Sequence, residues 1–87
     1  MNQVFSIIIP TFNNLPYLKI CISSIKRNSK FEHEIIPHIN DGADGTEKYL
    51  IKKKIKYTMT KYNAGICEGV NLAANKATTS YILYKYK

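Results

Sequence analysis

The chain predicts an α/β fold in which strands and helices alternate, β-α-β-α-β-α-β, around a mostly parallel four-stranded sheet with right-handed crossovers. Two apolar runs each end in a polar loop. FSIIIP (Phe5–Pro10) opens onto TFNN (Thr11–Asn14), and EIIPHI (Glu34–Ile39) opens onto NDGADGT (Asn40–Thr46). A stretch of helical periodicity lies between them. Sheets of this kind bind ligand at the carboxyl ends of their strands, so both loops fall where a ligand would sit.

Val4–Pro10 reads as the first strand. Its continuous Ile7, Ile8 and Ile9 suit a parallel strand covered on both faces, central in the sheet and, over Phe5–Ile9, its most buried member. Asn14 suits an N-cap and Pro16 the first turn of a helix. Leu18, Cys21, Ile22 and Ile25 then repeat on one helical face, while Lys19, Ser23, Lys26 and Arg27 take the other. That helix should end near Asn28–Lys30. Glu34–Ile39 reads as the second strand. Pro37 inside it predicts a bulge, or pairing over Glu34–Ile36 only, because proline cannot donate to a ladder.

Thr46 or Asp44 can cap a short helix over Glu47–Lys53, with Tyr49 and Leu50 turned inward. Ile55–Thr60 alternates as a third strand, and Lys61–Gly65 is a loop. Glu68–Asn75 is a helix of small residues whose Val70, Ala73, Ala74 and Ala77 would pack closely on a sheet. Tyr81–Tyr86 is the fourth strand. No internal repeat, low-complexity tract or linker interrupts this order.

Eighty-seven residues suit one small domain, or the front part of a larger one. Thirteen basic against six acidic residues give a net charge of +7. All the basic residues but Arg27 are lysines. Base-reading sites favour arginine for its planar fork, so the excess argues against specific nucleic-acid recognition. It fits a solvated surface, or attraction to a nucleotide diphosphate, an anionic membrane face or a polyanion. Cys21 and Cys67 are far apart and form no C-x-x-C pair or zinc site. Cys21 reads as a small buried hydrophobe, and free thiols fit a reducing cytoplasm. No apolar run approaches the length of a transmembrane segment, and FSIIIP is too short for a signal peptide.

The loops carry the candidate chemistry. Phe12, at a strand end, can stack on a planar base or pack against the helix that follows. Asp41 can accept from a base N–H or a ribose hydroxyl, or hold a local turn. Asp44, before Gly45 and Thr46, reads as a cap. Asn63-Ala64-Gly65 marks a tight turn into a helix whose positive end would face the loops. There is no G-x-G-x-x-G and no P-loop motif. His33 and His38 have no metal-site spacing and read as ordinary strand or surface histidines.

In order, these segments resemble the start of family 2 glycosyltransferases. The opening S-[IV]-I-[IV]-P-T-[YF]-N is matched by Ser6 to Asn13. The second motif, E-I-I-V-V-D-D-G-S-x-D-G-T, is matched by Glu34–Ile36, Asp41, Gly42 and Asp44–Thr46. The third, N-x-G-x-x-x-A-x-N-x-G followed by Y-[IV]-x-F, is matched by Asn63, Gly65, Asn71 and Tyr81–Tyr84. The resemblance implies a partial GT-A (Rossmann-like) unit that binds a nucleotide-diphosphate sugar. Pro10, Thr11, Phe12 and Asn13 of the first loop would hold the nucleoside with Asp41. Asn63, Gly65 and Asn71 would shape the loop and helix beneath the donor.

This sequence departs from the family at Asn40, which replaces the first aspartate of D-D-G, at Pro37, which replaces a valine, and at Val70, where arginine is common. The family's metal-binding D-x-D should follow the fourth strand, where Lys85-Tyr86-Lys87 stand instead. The resemblance therefore implies Mn²⁺ or Mg²⁺ for the full-length family and no cofactor for residues 1–87. These residues read as the donor-nucleotide-binding half of a glycosyltransferase domain, truncated before that motif naturally or by design. They should bind the donor weakly and lack transferase activity. The expected location is the cytoplasm, free or peripheral to the inner membrane face. The sheet edge left after the fourth strand could pair with a second copy. The alternatives are a non-enzymatic basic α/β module that binds nucleotides or polyanions, and a degenerate reading frame.

Overall fold

A computed structural model describes residues 5–28, 33–41, 44–62, 65–79 and 81–84. Its elements are β1 (Phe5–Phe12), α1 (Leu15–Asn28), β2 (Glu34–Asn40), α2 (Thr46–Lys52), β3 (Thr58–Thr60), α3 (Gly65–Asn75) and β4 (Tyr81–Tyr84). All pairings are parallel and the strand order is β3-β2-β1-β4. From β1 the chain moves outward through β2 and β3, then returns to place β4 on the other side of β1. The β1–β4 boundary is therefore a topological switch point.

Side-chain alternation divides the core in two. Ile7, Ile9 and Ile39 pack with Leu18, Cys21, Ile22 and Leu50 on the face covered by α1 and α2. Ile8 and Ile36 pack with Val70 and Ala73 on the face covered by α3. The helical face read from Leu18, Cys21, Ile22 and Ile25 is thus the one that meets the sheet. Leu50 is fully buried and Tyr49 packs partly against the same cluster.

Several boundaries differ from the sequence reading, each for a local reason. β1 runs two residues past Pro10, because Thr11 and Phe12 pair with Ile39 and Asn40. β2 is unbroken, with Pro37 in register opposite Ile9. Pairing with β3 begins only at His38, so Pro37 lies where the outer edge of β2 has no partner strand, a setting that tolerates proline. β2, with six of seven residues buried, is more buried than β1. Helices cover both of its faces and strands flank both of its edges near its end.

β3 is shorter than expected. The Lys54 N–H bonds Ile51 O and the Ile55 N–H bonds Leu50 O, a Schellman closure that takes Ile55 out of the strand. Lys54 occupies the left-handed position of that closure, φ 58°, where glycine is usual. α2 starts at Thr46 with Gly45 as N-cap, φ 84°, and without a side-chain cap. α3 starts at Gly65 rather than Glu68, with the glycine at its first position, where the helix interior's cost for glycine is least felt. Val4, Tyr86 and the flanking lysines Lys85 and Lys87 lie outside the described residues.

At the amino edge of the sheet Glu34 is buried to 2% exposure and accepts four hydrogen bonds. These come from Ser6 Oγ (2.6 Å), Lys56 Nζ (2.5 Å), and Thr78 N and Oγ1 (2.8 and 2.9 Å). Burial alone would raise its pKa. The Lys56 ammonium and the Ser6 and Thr78 donors outweigh that and hold it at about 2.

On the α3 face, His38 is fully buried and lies against Gly69. A Cβ at Gly69 would come within 2.6 Å of the ring's Cδ2. The ring is pinned by Thr58 Oγ1 (2.7 Å, to Nδ1) and Thr60 Oγ1 (3.3 Å, to Nε2). The Thr60 hydroxyl donates to Tyr62 O (2.7 Å), so at that contact it accepts from Nε2–H, and in one of the two forms then open to the ring Nδ1 accepts from Thr58. That is the neutral imidazole. Burial, which lowers the ring's pKa against the pull of Glu68 and Asn40, favours the same form.

Two outcomes follow. The folded Glu34 pKa lies below its unfolded value of 4.5, so its contribution is complete above that value and lost as pH falls towards 2. Urea titrations at pH 7 and pH 2 should differ by about 3 kcal/mol from this residue alone, and Glu34→Gln should remove that share of the difference. Gly69→Ala should destabilise by about 1–2 kcal/mol, as overpacking against a pinned ring exceeds the gain in helix propensity. A Gly69→Ala variant as stable as the parent would show that the ring yields.

Candidate functional site

β1 and β2 end side by side, with Phe12 opposite Asn40. The next residue on each strand leaves the sheet through the left-handed region, Asn13 at φ 46° and Asp41 at φ 73°. Asn and Asp adopt that conformation more readily than other residues with a Cβ. Asn13 Nδ2 donates to Asp41 Oδ2 (3.2 Å), joining the two loops. The Asp41 N–H continues the ladder to Thr60 O at 2.9 Å. The Asp41 carboxylate is thus fixed from its backbone and from one oxygen.

Asp44 locks the loops from behind. Its Oδ2 accepts from the Leu15 N–H (2.8 Å), the first amide of α1. Its Oδ1 accepts from Thr46 N (3.2 Å) and Thr46 Oγ1 (2.5 Å). Burial works to raise its pKa, but the hydrogen bonds from Thr46 and Leu15 prevail and lower it. Asp44 is therefore a structural carboxylate that serves two helix starts, although Gly45 is the formal cap of α2. It also neutralises the positive end of α1.

Phe12 is 50% exposed. Alternation sets it on the face of Ile8, the α3 side, and Ile7 and Ile9 are the residues of β1 that meet α1. Alternation thus sets Phe12 on the side of the sheet away from α1, the helix that follows it. Pro10 shares its face, half-buried. Thr11 lies on the opposite face with its Oγ1 buried and without a hydrogen-bond partner among the described residues.

Pro10, Thr11, Phe12, Asn13 and Asp41 are thus gathered at one edge, above the switch point. Gly65 opens α3. Asn71 is exposed on α3, roughly 9 Å further along the helix axis, away from the two loops. Asn63, Gly42 and Ala43 lie outside the described residues.

Sequence reasoning did not anticipate Thr60, Tyr62, Glu68 or the placement of His38. Asn40 is buried at 4% beside Thr60 Oγ1 (3.5 Å), a setting that suits a neutral amide better than a second carboxylate. Tyr62 is exposed and donates to Glu68 Oε2 (2.7 Å), and that carboxylate raises the phenol's pKa. The signal was present as the polar alternation His38-x-Asn40 and Thr58-x-Thr60 on one face of two neighbouring strands.

The residues at this edge do not fit a divalent cation. Asp44 is consumed by helix amides and Thr46, and Asp41 shares an oxygen with Asn13. Among the described residues no three His, Cys, Asp or Glu side chains converge as a metal would require. No helix among them is long and apolar enough to cross a membrane.

No curated protein matches the chain significantly. The sequence pattern described as Glycosyl transferase family 2 matches residues 6–84, from Ser6 in β1 to the last residue of β4. That span covers every strand and helix that builds this edge, and the chain belongs to the family 2 glycosyltransferases.

Proposed function

We propose that this unit holds the nucleotide part of a sugar-nucleotide donor, as the front half of a GT-A domain that transfers the sugar to a glycan or glycoconjugate acceptor. The observation that carries the reading is the joined pair of loops at the switch point. Phe12 offers a half-exposed ring, and Asp41 offers a carboxylate held in place by Asn13 and Thr60. A base can stack on the ring while its N–H groups or the ribose hydroxyls meet the carboxylate. The amino end of α3, opened by Gly65, would meet the diphosphate.

Transfer itself needs more than these residues supply. The leaving diphosphate must be neutralised as the glycosidic bond breaks, and the acceptor hydroxyl needs a base. Asp44 is taken up by the Leu15 amide and Thr46, and on this reading Asp41 is taken up by the nucleoside, so neither serves either task. On this reading residues 1–87 hold the donor, and both groups would have to be supplied from outside the described residues.

Binding should be weak, on the order of millimolar. Titration of the labelled chain with uridine, guanosine and cytidine diphosphates, followed by NMR, should shift Phe12 and Asp41. Phe12→Ala should weaken binding about fivefold or more, the share of one stacked base. Asp41→Gly keeps the left-handed backbone and removes the carboxylate, so it should weaken binding without unfolding the loop. Nucleotide-induced shifts unaffected by both substitutions would place the site elsewhere. Incubation with sugar nucleotides, with or without Mn²⁺, should release no nucleoside diphosphate. Metal-stimulated release that is lost in Asp41→Gly would reveal a catalytic centre within these residues.

A further inference from the structure

The edge opposite Asp41 carries a different chemistry. Crossover helices run antiparallel to the strands they join, so α1 and α2 both end at the amino edge of the sheet. α1 ends in Lys26 and Arg27, and α2 ends in Lys52 with Lys53 and Lys54 directly after it. The two helices form one surface, because Lys19 Nζ lies 5.0 Å from the centre of the Tyr49 ring. Lys26, Lys54 and Lys56 line a single depression with His33, Glu34, Ile35 and Ile55.

Among the described residues the acidic groups nearby do not cancel this charge. Glu34 is buried and answers Lys56 alone among the lysines, and Glu47 is turned to the Tyr57 hydroxyl. Ile51 stands 60% exposed in the last turn of α2, an apolar side chain among these lysines. Lys54 holds a left-handed conformation, φ 58°, where glycine would be relaxed. A charge is therefore present at a position the backbone does not favour for lysine.

We propose that this edge docks the domain on an anionic lipid bilayer. Lys26, Lys52 and Lys54 meet headgroup phosphates and Ile51 enters the interface. Charge complementarity selects the occupant, since a field of lysines with one arginine suits the diffuse negative potential of a membrane better than the shaped sites of a nucleic acid. The candidate donor site at the other end of the strands would then face the aqueous phase. The surface shares no residue with Phe12 or Asp41, so its behaviour is independent of the nucleotide reading.

The test is co-sedimentation of the 87-residue chain with phosphatidylcholine vesicles, with and without phosphatidylglycerol. The chain should bind only the vesicles that contain phosphatidylglycerol, and less as salt rises. Lys26→Gln combined with Lys52→Gln should weaken binding roughly twentyfold. Lys54→Gly removes a charge and relieves the backbone, so it should weaken vesicle binding while leaving the thermal midpoint unchanged or higher. That pairing separates loss of docking from loss of fold. Equal binding to pure phosphatidylcholine, or full binding by these variants, would overturn the proposal. So would tighter binding to a mixed-sequence DNA duplex than to anionic vesicles at the same salt, which would assign the edge to nucleic acid.

Discussion

Glu34 is the constraint on which the rest of the sheet depends. Its carboxylate, at 2% exposure, sits at the amino end of β2 and ties four parts of the chain together. Ser6 belongs to β1, Lys56 precedes β3, and Thr78 precedes β4. Ser6 also meets Thr79 Oγ1 at 2.7 Å, so the approach to β4 is held twice. These are the joints where the chain enters the strands of a parallel sheet. β4 must pass over β1 to reach its place, and the pair of hydrogen bonds from Thr78 fixes where it lands. An unpaired carboxylate at that depth would cost several kcal/mol, so breaking the cluster would destabilise more than any one of its bonds contributes.

The two faces of the sheet solve the covering problem differently. The α1 and α2 face is apolar and closed by long aliphatic side chains. The α3 face mixes isoleucine with a buried histidine and threonines, and α3 can lie there only because Gly69 leaves room for the His38 ring. The small residues along α3 thus have a packing purpose. Val70 and Ala73 complete the apolar part of that face against Ile8 and Ile36. Val70 takes a position where an arginine is common in the family, and at 8% exposure it is a core residue here.

Much of this architecture was legible in the sequence. Continuous isoleucines, one helical stripe and two strand-to-loop junctions were enough for the alternation, the parallel pairing and the edge that carries the loops. What escaped depended on partners distant along the chain. Pro37 was read as a break because its neighbours in sequence say nothing of where β3 begins. Ile55 was assigned to a strand because the Schellman closure reuses the carbonyls of Leu50 and Ile51. His38 read as ordinary because its burial depends on a glycine 31 residues later, at 69. Glu34 counted only as part of a motif, and its donors come from positions 6, 56 and 78. Local pattern reports periodicity well, and it cannot report which polar groups converge once the sheet has formed.

The carboxyl edge shows how to weigh a conformational reason against a functional one. Asn13 and Asp41 have adequate structural grounds for being what they are, since both occupy left-handed backbone and they bond each other. Asp44 likewise has three hydrogen bonds that account for it completely. None of the three, taken alone, asks for a ligand. Phe12 is different. It ends a strand in ordinary conformation, forms no hydrogen bond by chemistry, and leaves half of its surface in water although strand alternation could have served with a polar residue. One exposed ring is common on a protein surface, so it is the position of Phe12 beside Asp41, and not its exposure, that carries the proposed reading. In the proposed function, its place next to the fixed Asp41 carboxylate would make the structural residues around it the frame of a site, with the ring as the part of that frame that meets the base.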